Sequence, residues 1–268
     1  MQLARVKGVQ KYLRIAEISL TNRVAYLADH LAGSLFLILI LFIFSQLWKT
    51  VLRQGGQVAG LDSTGMLWYM VFTEVIAIST PGSHYLVSEE VKSGDIAYKL
   101  SRPYSYTLYY FAAHCGEFAV RFITNLIVGA AFAYLTIGPL VVPWAQLGWV
   151  VLGFALATAV NFLMMFSLAL LAFWLEESRP FFWIFQKMTF IFGGLFIPVE
   201  AYPQGLRFIS YLLPLRYGLS APARLMVQFE RSLLWQMLTG QLVWITLLGA
   251  LVWAMFQKGV RRVHVHGG

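Results

Sequence analysis

Ionisable side chains within apolar runs are where chemistry is sought first, because lipid makes them costly unless they face protein or water. Glu117 and Arg121 stand four residues apart, so on a helix they share a face and can pair. Glu74 lies in the middle of another apolar run. Two roles fit these three residues: a charge network that fixes helix packing, or the lining of a pathway. Cys115, His84 and His114 are isolated and form no metal constellation, so no metal site is expected. His264 and His266, two residues apart near the end, read as a mobile tail. No Ser-His-Asp order, HExxH or paired-carboxylate cleft is present, so no catalytic residues are assigned. No G-x-x-x-x-G-K-[ST] phosphate cradle is present either, so this chain is expected to bind no cofactor.

The richest polar segment is 85–108. It contains Ser88-Glu89-Glu90-Val91-Lys92-Ser93-Gly94-Asp95-Ile96 and runs on through Tyr98, Lys99, Leu100, Arg102 and Pro103. Ser88 is placed to cap a short helix, Gly94 to end it and Asp95 to cap the next turn. A short charged helix between two apolar runs cannot bury itself. It meets water, lipid or another protein, and the residues alone leave a solvated loop and a protein-docking helix both open.

Around these residues the chain is built for lipid. Its 268 residues are 59% hydrophobic and only 12% charged, with a mean hydropathy of +0.68. Soluble domains carry about a quarter charged residues, so a soluble enzyme, a DNA-binding module and a disordered chain are all disfavoured. The single cysteine excludes an intrachain disulfide. Apolar runs over 27–48, 66–83, 109–137, 147–174, 181–199 and 233–256 predict six membrane spans. The predicted fold is therefore an all-α polytopic membrane protein. It has a transmembrane domain over 27–256, an external segment at 199–232 and a tail at 257–268.

Lys and Arg set the orientation. One face collects Arg5, Lys7, Lys11, Arg14, Arg23, Lys92, Lys99, Arg102, Arg179, Lys187, Lys258, Arg261 and Arg262. The other collects only Lys49, Arg53, Arg207, Arg216, Arg224 and Arg231. Both termini are thus expected in the cytoplasm. The net charge of +8 reads as anchoring to anionic lipid, not as nucleic-acid binding. Residues 1–26 are amphipathic, with Leu3, Val6, Leu13, Ala16 and Leu20 opposite Lys7, Lys11 and Arg14. They predict a helix in the headgroup plane or docked on a partner protein. Glu176, Glu177 and Arg179 form a second charged cytoplasmic turn, and Arg207, Arg216 and Arg224 are available to lipid headgroups or an anionic cargo.

Glu90-Val91-Lys92-Ser93-Gly94-Asp95-Ile96, followed by Leu100-Ser101-Arg102-Pro103 between the second and third runs, resembles the permease subunits of type-2 ABC transporters. Gly193-Gly194-Leu195-Phe196-Ile197-Pro198, then Pro203, then Leu213-Pro214, resembles that family's external segment, where short helices dip back into the membrane. The resemblance covers essentially the whole chain. It implies an exporter half in the bacterial cytoplasmic membrane, with ATP and Mg held by a separate, dimeric ATPase subunit. It implies a second permease chain, identical or sister, with the pathway between the two. Glu89, Glu90, Lys92, Ser93, Gly94, Asp95, Ile96, Tyr98, Leu100, Arg102 and Pro103 would then form the coupling helix, with Ile96, Tyr98 and Leu100 as its apolar anchor. Gly193, Gly194, Pro198, Pro203 and Pro214 would line the dimer seam. The rival classes are a proton-coupled secondary transporter using Glu74 or Glu117, and a membrane-embedded lipid-modifying enzyme using Glu74, Glu117 and His84.

Overall fold

The computed structural model describes the backbone over residues 2–52, 55–175 and 177–266, and side chains over 8–26, 31, 33–52, 55–175 and 177–262. The side-chain expectations for Leu3, Arg5, Val6, Lys7, Arg53, Glu176, His264 and His266 lie outside the described residues. Among the described residues the protein is all-α. The helices are α1 (Gln2–Ala25), α2 (Leu27–Val51), α3 (Ser63–Ser79), α4 (Ser83–Ser93), α5 (Ile96–Leu100), α6 (Tyr106–Ile137), α7 (Leu147–Ala169), α8 (Arg179–Phe192), α9 (Gln204–Leu212), α10 (Leu215–Gly218), α11 (Ser220–Val227) and α12 (Arg231–His266).

The stretches Gly33–Val51, Tyr106–Ile137, Trp144–Phe173 and Arg231–Arg262 are long and apolar enough to cross a bilayer. The other two expected spans are shorter. α3 has 17 residues and α8 has 14, about 26 Å and 21 Å of helix against a hydrocarbon layer of about 30 Å. The runs that predict them continue into non-helical chain. α3 stops at Thr80-Pro81-Gly82, and α8 stops at Gly193-Gly194, with Gly194 at a φ of +74°.

Local chemistry places these boundaries. Asp62 caps α3 by accepting from the Gly65 N–H at 2.7 Å. Ser105 caps α6. Gly94 ends α4 in the left-handed region at a φ of +83°, which a residue with a Cβ adopts at a cost.

α3 is buried on every side and is the central helix. Residues 66–76 are buried without a break. They pack with Leu37, Leu41 and Trp48 of α2, Ala133 of α6 and Ala223 of α11. A second apolar cluster sits at the far end of the molecule, beneath α4 and α5. It joins Val87, Val91 and Ile96 to Tyr106, Tyr110, Phe166 and Phe173.

α1 and α2 run beside α6 in the same direction as α6. Lys11 donates to the Pro103 carbonyl at 2.7 Å, and Tyr12 accepts from the Ser105 N–H at 2.9 Å. The backbone of Ala16 and Leu20 closes on Gly116. Further along, Ser34 donates to Asn125 at 2.9 Å, and Lys49 to the Thr136 carbonyl at 3.3 Å. α1 thus packs along α6 through Tyr12 and the backbone of Ala16 and Leu20, whereas the Leu13 and Leu20 side chains of its expected apolar face stay exposed. α6, at 32 residues, extends well past a hydrocarbon layer and gives α1 a rail.

Candidate functional site

α4 and α5 form a bent unit between α3 and α6, and the bend sorts the side chains predicted to act together. Ser93, Gly94, Asp95, Tyr98, Arg102 and Pro103 are exposed at the tip. The Arg102 guanidinium lies over the Tyr98 ring, 4.6 Å from its centroid, and donates to the Tyr98 hydroxyl. Tyr98 is 66% exposed and is the aromatic group this tip offers to a partner. Ile96 is fully buried and Leu100 half-buried, so the anchor expected from Ile96, Tyr98 and Leu100 reduces to Tyr98. Both have apolar neighbours beneath them in the chain itself.

Glu90 faces inward. Its carboxylate accepts from Lys99, from the Tyr110 hydroxyl, and from the Tyr106 hydroxyl at 2.8 Å. Lys99 also reaches the Tyr110 hydroxyl at 2.8 Å. This knot ties α4, α5 and the first turns of α6 together. Two capping expectations are corrected. Ser88 does not open a helix, because α4 begins five residues earlier, and Ser88 lies buried in its middle. Asp95 sits at the start of α5 but makes no side-chain cap; its carboxylate accepts from the Ser93 hydroxyl at 2.8 Å.

The remaining charges of α4 point at the turn before α8. Ser88 and Ser178 share a buried hydrogen bond of 2.5 Å, in which either hydroxyl can donate. Lys92 pairs with Glu177 at 3.2 Å, and Arg179 with Glu89 at 3.0 Å. His84 and Tyr85 meet Phe182 edge to face, with ring centroids 4.6 Å and 5.1 Å from it. The Glu177 carboxyl is held below the usual carboxylate range, first by the Arg179 backbone N–H that donates to it and then by Lys92. The Arg179 guanidinium is pushed up by Glu89. No local spacing signals the Ser88–Ser178 contact, whose members lie 90 residues apart.

The charges within the apolar helices divide. Arg121 donates through Nε at 2.9 Å and through Nη2 at 2.5 Å to one oxygen of Glu117, so that pair is internally matched. Glu74 is only 3% exposed, and its Oε1 has no hydrogen-bond partner among the described residues. The structure does not bring Glu74, Glu117 and His84 into a cluster that could hold a metal among the described residues. The polar centre of the helix bundle is one the sequence reading misses. Asn125 accepts from Ser34 and donates to Ser79, each at 2.9 Å, and all three are buried.

On the opposite side of the molecule from α4, the segment after α8 folds back onto α3. The Tyr69 hydroxyl donates to the Gly194 carbonyl, and Thr73 donates to the Leu195 carbonyl at 2.8 Å. A Cβ on Gly194 would come within 2.9 Å of Ser220 and 2.8 Å of Val199, so both the turn and its φ require glycine. Gly193, Gly194 and Pro198 are buried within the chain, Pro214 is half-buried and Pro203 is exposed. Arg216 and Arg224 are not available to headgroups or cargo, being 1% and 6% exposed. The Arg216 guanidinium sits over Tyr211, 3.6 Å from the ring centroid, and 3.7 Å from Glu200. Arg224 donates to the Ala59 carbonyl at 2.5 Å. Packing around α10 and α11 removes both from solvent; Arg207 alone of the three stays exposed.

A family model described as "ABC-2 family transporter protein" matches residues 35–267. No curated protein matches the chain.

Proposed function

Since this chain belongs to the ABC-2 family of transporter proteins, a family of multi-pass membrane transport subunits, we propose that it is the permease half of an ABC exporter, driven by a separate ATP-hydrolysing subunit. In this reading α2, α3, α6, α7, α8 and α12 are the six spans. The two short ones are completed by the non-helical chain that follows them, with α4 and both termini in the cytoplasm. A second permease chain, identical or sister, pairs with it in the bacterial cytoplasmic membrane, and the pathway lies between the two.

The observation that carries the proposal is the sorting of side chains around α4 and α5. An ATPase subunit has to grip something exposed and rigid on the cytoplasmic side. The tip at Ser93–Arg102 is exposed, while its base is held by Ile96 in the apolar cluster and by the Glu90 knot. Tyr98 and Arg102 supply the aromatic and guanidinium surface that dominates many protein interfaces. Asp95 adds a charge at the rim.

The test is affinity purification of this chain from its native membranes. The expected result is co-purification of an ATPase subunit, with loss of that subunit when Tyr98 and Arg102 are both changed to Ala. Transport by the purified chain alone in vesicles with a proton gradient and no ATP overturns the proposal. Glu117 offers no support for such proton coupling, since Arg121 already holds it.

A further inference from the structure

α8 is held along one flank only, where half-buried Phe185, Phe190 and Phe192 meet the apolar clusters of the bundle. Of its 14 residues only Phe182 is buried, and Trp183, Ile184 and Ile191 are exposed. Its two ends, in contrast, are both fastened, and both to the consecutive helices α3 and α4, which run from the outer end to the inner end. At the inner end the Ser178 hydroxyl meets Ser88 at 2.5 Å in a buried site, flanked by Lys92–Glu177 at 3.2 Å and Glu89–Arg179 at 3.0 Å. Phe182, the one buried residue, closes on His84 and Tyr85. Past the outer end, Tyr69 and Thr73 of α3 hold the carbonyls of Gly194 and Leu195.

A helix of this length is stiff along its axis, whereas its exposed side slides easily past lipid. A displacement at its inner end therefore travels to its outer end. The fastening at the inner end differs in kind from the tip of α4–α5. Glu89 and Lys92 are paired within the chain, to Arg179 and Glu177.

We propose that the contact of Ser88 with Ser178, with its two flanking ion pairs, is a transmission joint: it makes the 177–179 turn move with α4 and so carries displacement of α4 along α8 to the Gly193–Gly194 turn. These are positioning residues, and the inference rests on the assignment of α4–α5 as the ATPase-facing unit. A buried hydroxyl pair suits the task. It costs little when closed, and opening it strands two polar groups away from water, so the joint resists separation. The ion pairs are exposed and contribute alignment more than strength.

The experiment uses the permease–ATPase complex in proteoliposomes, with the native cysteine removed by Cys115→Ala and a nitroxide spin label joined to Ile191→Cys near the outer end of α8 through a maleimide thioether, which dithiothreitol does not cleave and which is attached after any engineered disulfide has closed. Trapping the complex with ATP and vanadate is expected to shift the mobility of that label. Replacing the turn's three partners together (Glu177→Gln, Ser178→Ala and Arg179→Gln) is expected to abolish the shift while ATPase binding and ATP hydrolysis persist. A Ser88→Cys, Ser178→Cys pair, which the close approach of the two hydroxyls lets oxidise to a disulfide, is expected to keep the shift when oxidised.

Failure of any ATPase to bind the unaltered chain sinks the functional proposal. A bound and active ATPase with no shift at Ile191, or a shift that survives the triple replacement, sinks the joint alone. If the triple variant loses its ATPase, the disulfide variant decides. A shift lost on oxidation and restored by dithiothreitol means that turn and α4 must part, which overturns the joint.

Discussion

Glu90 and Asp95 lie five residues apart in one charged stretch, and nothing in their spacing tells them apart. Burial does. Glu90 accepts from Lys99, Tyr106 and Tyr110, whereas Asp95 is exposed at the tip and bonded only within its own turn. The two substitutions therefore have different outcomes. Glu90→Gln removes the charge from a hydrogen-bonded knot and is expected to lower stability by about 1–3 kcal/mol, read as a lower unfolding midpoint of the purified permease in detergent. Asp95→Asn leaves that midpoint in place and weakens retention of the ATPase, read by co-purification. An unchanged midpoint for Glu90→Gln would mean that the knot contributes nothing. The polar residues of segment 85–108 are legible in the sequence; which of them turn inward is not. The partners of Glu90 that settle it include Tyr110, which reads in sequence as the start of an apolar run, and Tyr106, in the polar segment just before it.

The elements themselves divide in the same way. Gly94 as a helix terminator and the four long apolar helices follow from local pattern, because glycine conformation and hydropathy are properties of a short window. The position of α1 does not. The amphipathic pattern does not say where the helix lies, and here its backbone at Ala16 and Leu20 packs on α6 while Leu13 and the Leu20 side chain stay exposed. Gly116 is the mark of the contact, since a side chain there would run into the backbone at Ala16 and Leu20. Gly116→Val is expected to destabilise the packed form by about 1–3 kcal/mol through overpacking, and to free the N-terminal helix. Limited proteolysis reads the outcome as early cleavage within the first 25 residues while the remainder stays intact. Equal cleavage rates in variant and parent would place α1 elsewhere.

For the whole molecule, the arrangement makes a statement about sides. α4–α5 and the 177–179 turn lie at one end of the bundle; the loop after α6 and the segment after α8 lie at the other. In a Cys115→Ala background, a membrane-impermeant maleimide is expected to label Val141→Cys, whose parent residue is 88% exposed, in intact cells. It is expected to label Tyr98→Cys only after the membrane is opened. The reverse pattern would turn the molecule over and remove α4–α5 from the cytoplasm. The count of basic residues predicts this orientation, but Arg216 and Arg224 blunt that count only on paper: both are buried and answer to Glu200, Tyr211 and the Ala59 carbonyl, not to headgroup charge.

Asn125 has a consequence for how such a bundle comes together. If, as proposed, α2, α3 and α6 all lie in lipid, apolar surface does not draw them to each other, since hydrocarbon is as good a neighbour as leucine. An amide that meets one serine on each of two other helices works at a single vertical setting. It acts as a notch that lets already inserted rods find their level. A chain carrying Asn125→Leu should still enter the bilayer, yet its rods would be free to slip against one another.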